Sequence, residues 1–369
     1  MRVYPAATAF CIVLCLLTFA TNISTTAIAQ EPDPTIGRVS YIELGSPPGK
    51  LKVKQKKGEQ PADATVGMPV RRGYLLTLTP PAKAAVSCAD GTKHDLRPGV
   101  QGCPCAVDAQ GYIYNGSNIP RTRGYDSLRG DFPAIISPRK GFLLATRPII
   151  RWTALKTNES ATYEVSMYTE LMDLVWRKKE ITGTMLAYPA GEPALLHGEV
   201  YKVVVQSGRK SSNQEKTEDP FFTVLRKGDS NSIHAAEEKL RQQNLPEANT
   251  QFLIAELYAA RGLYSEAIEI LTATTMTIQA PSVLRLLGEL YAILGLHREA
   301  VKQYEIAVNL PQIESDIEGQ ALTFSALGRS YTELGEHQQA AASFAHSVKA
   351  YQKLGDKVTV EQLRDGDAK

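Results

Sequence analysis

Hydrophobic and polar positions change period once along this chain. From about residue 35 to 226 they alternate, and beyond about 232 the apolar ones recur every three to four residues. Period two puts one set of side chains on one face of a strand; period 3.6 draws an apolar stripe along a helix. GRVSYIELG, KLKVKQKKG, YLLTLTPP and AAVSCADG, each closed by Gly or Pro, read as strands of a small β domain over 35–115. Asp90-Gly91 after AAVSC is a turn signal. The polar stretch 116–132 reads as a linker. AIISP, GFLLA, IIRWTAL, ATYEVSMYT, LVWRKKEI, VYKVVVQSG and FFTVL then predict a β-sandwich over 133–226. Within it, Tyr163, Val165 and Met167 alternate with Glu164, Ser166 and Tyr168. Residues 227–232 read as a second linker, with Ser232 as N-cap of a helical region over 232–365. The fold class expected is therefore multidomain β plus α.

In the helical region, VLRLLGELYAIL places Val283, Leu284, Leu287, Tyr291 and Leu294 on one stripe. Its partner HREAVKQYEIAV buries Ala300, Tyr304, Ala307 and Val308. One phrase recurs three times in register: Tyr258/Gly262/Ala267, Tyr291/Gly295/Ala300 and Tyr331/Gly335/Ala340. The Gly ends one helix in a left-handed conformation, and the Ala allows the next helix to cross closely. Such a pair cannot bury its apolar face alone and must stack on copies of itself.

With Leu287, Gly288, Tyr304, Ala307 and Pro311 added, the second unit resembles the tetratricopeptide repeat. Leu327, Gly328, Phe344 and Ser347 extend the third; Ile254, Ala255 and Leu271 extend the first. The Tyr positions lie 33 and then 40 residues apart, the excess falling in PQIESDIEGQ. The helix before 248 and VTVEQLRD are the expected caps. The resemblance implies an all-α solenoid whose first helices line a concave, partner-binding groove. By register the lining is Asn249, Phe252, Glu256, Ala259, Arg285, Glu289, Ile293, Ser325, Arg329 and Thr332. The Lys/Asn clamp that some members use for a terminal carboxylate is missing from these positions.

Lys50, Lys52, Lys54 and Lys56 alternate with Leu51, Val53 and Gln55, which puts four ammonium groups on one strand face. This is a solvated face or protected edge, or else an anion stripe for an envelope polymer. The strand from Gly37 to Gly45, the Val-Arg-Arg-Gly turn at 70–73, the strands of YLLTLTPPAKAAVSC and ADGTKHDLRPG resemble the FecR family of extracytoplasmic domains. Tyr74 stands where that family has Asp. The resemblance implies envelope signalling or surface binding. Leu196, Gly198 and Tyr201 resemble the tyrosine corner of immunoglobulin-like and fibronectin type III sandwiches, and Trp152 falls where such a core has its Trp.

Arg2, the apolar run AFCIVLCLLTFA and Ala27-Ile28-Ala29 make residues 1–29 a cleavable secretory signal, so the mature chain is expected outside the cytoplasm without a transmembrane segment. That chain balances 40 Lys and Arg against 39 Asp and Glu, which gives no pull toward nucleic acid. Cys88, Cys103 and Cys105 remain. Export favours a disulfide from Cys88 to one of the other two. A zinc site using Cys103-Pro-Cys105 and His94 is the alternative. Asn115 and Asn158 head glycosylation sequons, and Arg129-Gly130-Asp131 is read as loop. No phosphate loop, nucleophile elbow or metal-ligand motif is present, and no cofactor is expected. The expected function is a non-catalytic exported scaffold whose groove holds a protein or peptide. The competing expectation is an envelope polysaccharide- or peptidoglycan-binding module with the repeats as spacer.

Overall fold

Strand alternation in the N-terminal stretch resolves into two four-stranded antiparallel sheets. The computed structural model describes residues 35–55, 60–106, 132–155, 161–214, 221–356, 359–361 and 363. The signal segment, most of the 116–132 stretch, Lys56, both sequon asparagines and the Arg-Gly-Asp tripeptide lie outside them. The strands are β1 (Thr35–Glu43), β2 (Lys50–Lys54), β3 (Ala62–Asp63), β4 (Pro69–Arg71), β5 (Leu75–Thr79), β6 (Lys83–Cys88), β7 (Lys93–Asp95) and β8 (Gly99–Gly102). One sheet has the order β4-β1-β6-β7 and the other β3-β2-β5-β8. Between them sits a core of Ile36, Val39, Leu51, Val53, Val70, Leu76, Leu78 and Val86. On β2, Leu51 and Val53 are buried while Lys50, Lys52 and Lys54 face outward, as period two requires.

The second β segment comprises β9 (Ile135–Ser137), β10 (Gly141–Leu143), β11 (Ile149–Trp152), β12 (Thr162–Thr169), β13 (Leu174–Thr182), β14 (Met185–Ala187), β15 (Val200–Ser207), β16 (Lys210–Ser211) and β17 (Phe221–Val224). The sheet β14-β11-β9 faces the sheet β10-β17-β15-β12-β13, with β16 on β15. One core, including Trp152, Tyr163, Val165, Met167, Trp176, Tyr201 and Phe222, joins them. Trp152 meets Tyr163 edge-on at 5.5 Å, so it is a packing residue. The Tyr201 hydroxyl accepts the Leu196 N–H at 3.0 Å, and Gly198 between them has φ +85°. This is the hydrogen bond expected of a tyrosine corner.

Helices follow: α1 (Lys227–Arg241), α2 (Glu247–Ala260), α3 (Tyr264–Thr274), α4 (Pro281–Ile293), α5 (His297–Val308), α6 (Ile317–Glu333) and α7 (His337–Lys353). The expected linker 227–232 is instead the first turns of α1. Arg226 is the N-cap residue, and Ser232 bonds back to the Asp229 carbonyl at 2.7 Å. Buried Leu225 anchors this start, and Asp229 favours the positive end of the helix.

The recurring phrase is a Schellman turn. Gly262, Gly295 and Gly335 all have φ +73°. In the second copy, the Leu296 N–H reaches the Tyr291 carbonyl at 2.8 Å and the Gly295 N–H reaches that of Ala292 at 2.9 Å. The first and third copies make the same bonds. The four-residue step from Tyr to Gly is therefore the spacing that closes the helix end. Tyr351 and Gly355 repeat it once more, with Gly355 at φ +71°, after α7. A Cβ on Gly288 or Gly328 would lie 2.5 or 2.8 Å from the ring of Tyr304 or Phe344. Those glycines let the aromatic of the second helix press onto the first. Among the described residues no helix is long and apolar enough to cross a membrane.

Candidate interaction groove

The first helices of the three pairs, α2, α4 and α6, present one face to the N-terminal β domain. Helical register brings Asn249, Phe252 and Glu256 together on α2, as three- and four-residue steps require. The wall grips main-chain groups first. Asn249 Nδ2 donates to the Ser40 carbonyl, and Ser282 Oγ donates to the Val66 carbonyl at 2.9 Å. Gly67 follows at φ +84°; a Cβ there would lie 2.9 Å from the Phe252 ring and 2.7 Å from Ser282 Oγ. The β domain thus enters through a turn that only Gly fits.

Charge adds selection. The Arg38 guanidinium on β1 forms an ion pair with Glu256, the two side chains being 7% and 1% exposed. Arg38 also donates to the Gly67 carbonyl at 3.0 Å. Burial lowers the Arg38 pKa and pushes the Glu256 carboxyl up to about 7, with Arg38 and Arg285 drawing it back. Next to them, Arg285 and Glu289 pair at 2.7 Å one turn apart on α4. At α6, Glu318 holds Arg71 at 3.0 Å and accepts the Tyr74 hydroxyl. Asp316 accepts from Gln55 at 3.2 Å while capping α6 through the Gly319 N–H at 2.8 Å. Below the groove, Gln243 bonds Ser87 Oγ at 2.5 Å and the Gly91 carbonyl at 2.9 Å.

These bonds correct the expectation of an open groove. Asn249, Phe252, Glu256, Arg285, Glu289 and Ser325 are buried, the first three against the chain's own β domain. Ile293 and Ala259 are buried in the same apolar cluster as Phe252. Arg329 and Thr332 alone of the predicted lining are exposed, and Arg329 donates to Ser325 Oγ at 2.9 Å. Sequence reasoning missed the other half of the contact: Arg38, Ser40, Gly67, Arg71 and Tyr74. Tyr74, standing where the FecR pattern has Asp, was the one available signal.

The sandwich meets the helices elsewhere, on the first copy of the repeated phrase. The Phe142 N–H donates to the Gly262 carbonyl at 2.9 Å, and the Leu144 N–H to Glu266 Oε1 at 2.7 Å. Burial pushes the Glu266 carboxyl up to about 7. The equivalent positions in the later copies are Glu299 and Gln339.

Cys88 and Cys105 form a disulfide, and Cys103 is free and half-buried. Cys105, one of the two thiols of the zinc alternative, is thereby consumed. His94 instead meets Thr92 Oγ1 at 3.3 Å, and no metal-binding group of side chains occurs among the described residues. Lys52 lies 3.8 Å from Asp63, which partly neutralises the lysine face.

No family model and no curated protein matches the chain. Solved structures overlap 38% of it. MamA does so at 20% identity, over 86% of that chain, with a TM-score of 0.28. BtubC (BKLC) from P. vanneervenii does so at 15% identity over 74% of its chain, with a TM-score of 0.27. The APC/C hetero-tetramer Cut9-Hcn1 gives 18% identity, 36% of that chain and a TM-score of 0.21. The helix-pair repeat rests on the Schellman turns and the glycine–aromatic contacts, not on these overlaps.

Proposed function

We propose that this protein is a non-catalytic, exported interaction scaffold built on tetratricopeptide repeats, with a FecR-like β domain and an immunoglobulin/fibronectin-like sandwich as its other modules. One observation carries the reading. The face formed by α2, α4 and α6 already holds a folded β module through main-chain and guanidinium contacts, which is the work of a protein-binding surface. The Cys88–Cys105 disulfide and the secretory segment at 1–29 support a place in the cell envelope. The ligand class is a protein or peptide; neither nucleic acid nor a cofactor enters the reading.

The test is capture from an envelope extract on the immobilised mature chain, followed by the same capture on Arg285→Glu/Arg329→Glu. A defined set of proteins retained by the first and lost by the second is expected. Equal retention by both would remove the groove from the function.

A second reading follows from Lys50, Lys52 and Lys54, which line the outer face of the sheet β3-β2-β5-β8. On that reading the β domain binds an anionic wall polymer. Binding to purified wall material, released by high salt and lost on substitution of the three lysines by Gln, is its expected signature.

A further inference from the structure

The two interfaces of the helical region differ in kind. The sandwich shares its core: Ala134 and Leu225 belong to the same buried cluster as Phe252, Leu257 and Leu271, and Ile136 and Leu144 pack on it. The N-terminal β domain shares none. Its core cluster draws only on residues between Ile36 and Cys105, and the two helical clusters contain no residue of that range. Polar bonds join the β domain to the helices through Arg38, Ser40, Gln55, Val66, Arg71 and Tyr74, and Gly67 sits against the Phe252 ring. Polar interfaces between domains permit relative motion, whereas shared apolar cores do not.

The helical wall is also built as a surface. Asn249, Glu256, Arg285 and Glu289 are polar and buried, and Asn249 and Glu256 bond the β domain directly. Asn249 and Ser282 take main-chain carbonyls, at Ser40 and Val66, which any sequence offers. Selection comes from charge. Glu256 and Glu289 exceed Arg285 by one negative charge on α2 and α4, and Arg38 supplies the missing positive one. Asp316 and Glu318 repeat the arrangement on α6, opposite Arg71. A buried ion pair contributes little net stability, since desolvation offsets the attraction, yet it discriminates strongly against a wrong partner.

We infer that the N-terminal β domain is a releasable occupant of the helical groove, and that the vacated groove takes an extended partner segment presenting one guanidinium to Glu256. The inference rests on the scaffold reading and adds its regulation and its partner chemistry. The segment's recognition unit is Arg38-Val39-Ser40: a guanidinium for Glu256, then a main-chain carbonyl two residues on for Asn249.

The test uses the full mature chain in four forms: wild type, Arg38→Glu, Glu256→Arg and the double exchange. Amide hydrogen exchange is read over 247–260 and 281–293. Each single reversal is expected to speed exchange there at least ten-fold with the β domain's own strands unchanged; the double exchange returns it to within two-fold of wild type. The probe is the synthetic peptide TIGRVSYIE, copied from β1. Arg38→Glu, whose Glu256 is intact, should bind it at least ten-fold more tightly than wild type does, and should not bind the same peptide with Glu in place of its Arg. Three results overturn the inference. These are unchanged exchange in both single variants, loss of protection throughout both domains, or equal binding of the two peptides. The scaffold reading fails differently: the peptide binds as expected, but neither wild type nor Arg38→Glu retains any protein from an envelope extract.

Discussion

Arg38 on the first strand of the β domain and Glu256 in the first helical pair form a buried ion pair across two domains that share no core. Removing one partner leaves the other charge desolvated and uncompensated. Arg38→Ala or Glu256→Ala alone is expected to cost about 3–5 kcal/mol of docking stability. The double variant should cost less than the sum, with a coupling of about 1–3 kcal/mol. A double-mutant cycle in urea, followed by exchange over 247–260, checks this. Simple additivity would mean that the two groups do not act on each other.

Gly288 and Gly335 should respond to alanine for different reasons. A Cβ at Gly288 meets the Tyr304 ring at 2.5 Å, so Gly288→Ala overpacks the second pair and costs about 1–3 kcal/mol, less the helix propensity gained. At Gly335 the space is open but φ is +73°, so the loss of about 1–2 kcal/mol comes from the left-handed backbone. The first pair carries Ala255 and Leu271 at the places of Gly288 and Tyr304. Adding Tyr304→Leu should therefore recover stability in Gly288→Ala and do nothing for Gly335→Ala. Thermal melts of the four variants decide it.

Glu266 gives the junction between sandwich and helices a pH dependence. Its carboxyl is raised from about 4.5 to about 7, first by burial, while the Leu144 N–H holds it in place. The folded state therefore binds the proton more tightly than the unfolded chain. The contribution is fully present below pH 4.5 and is lost as pH rises through 7, an upper limit of about 3 kcal/mol. Unfolding free energies at pH 5, 6, 7 and 8 should fall more steeply for wild type than for Glu266→Gln. Parallel curves would place the titration elsewhere.

The disulfide predicts an asymmetry among three neighbouring cysteines. Cys88→Ser and Cys105→Ser should each cost about 2–4 kcal/mol by freeing the loop between them. Cys103→Ser should cost little. Alkylation without reductant, read by mass spectrometry, should label Cys103 alone among the three. Burial raises the Cys103 pKa, so that labelling should be slow at neutral pH.

Much of this architecture was legible because its causes are local. The Tyr-to-Gly step is the spacing of a Schellman turn, decided within six residues. The alternation of Leu51 and Val53 with three lysines needs only the pleat of one strand. The tyrosine corner needs only the turn from Leu196 to Tyr201. Register likewise put Asn249, Phe252 and Glu256 on one helix face before any neighbour was known.

What covers that face was not legible. Arg38 reads as an ordinary polar position of a strand, and Gly67 as an ordinary turn. Nothing near either residue refers to α2 or α4. The start of α1 is not legible for a related reason: KGDSNS is polar and turn-like by itself, and Leu225 anchors it only through the core it joins. Sequence periodicity thus determined the elements, their faces and the repeat. The tertiary structure alone decided that the groove is filled from within, because complementary charge and main-chain contact between distant segments exist only once both are folded.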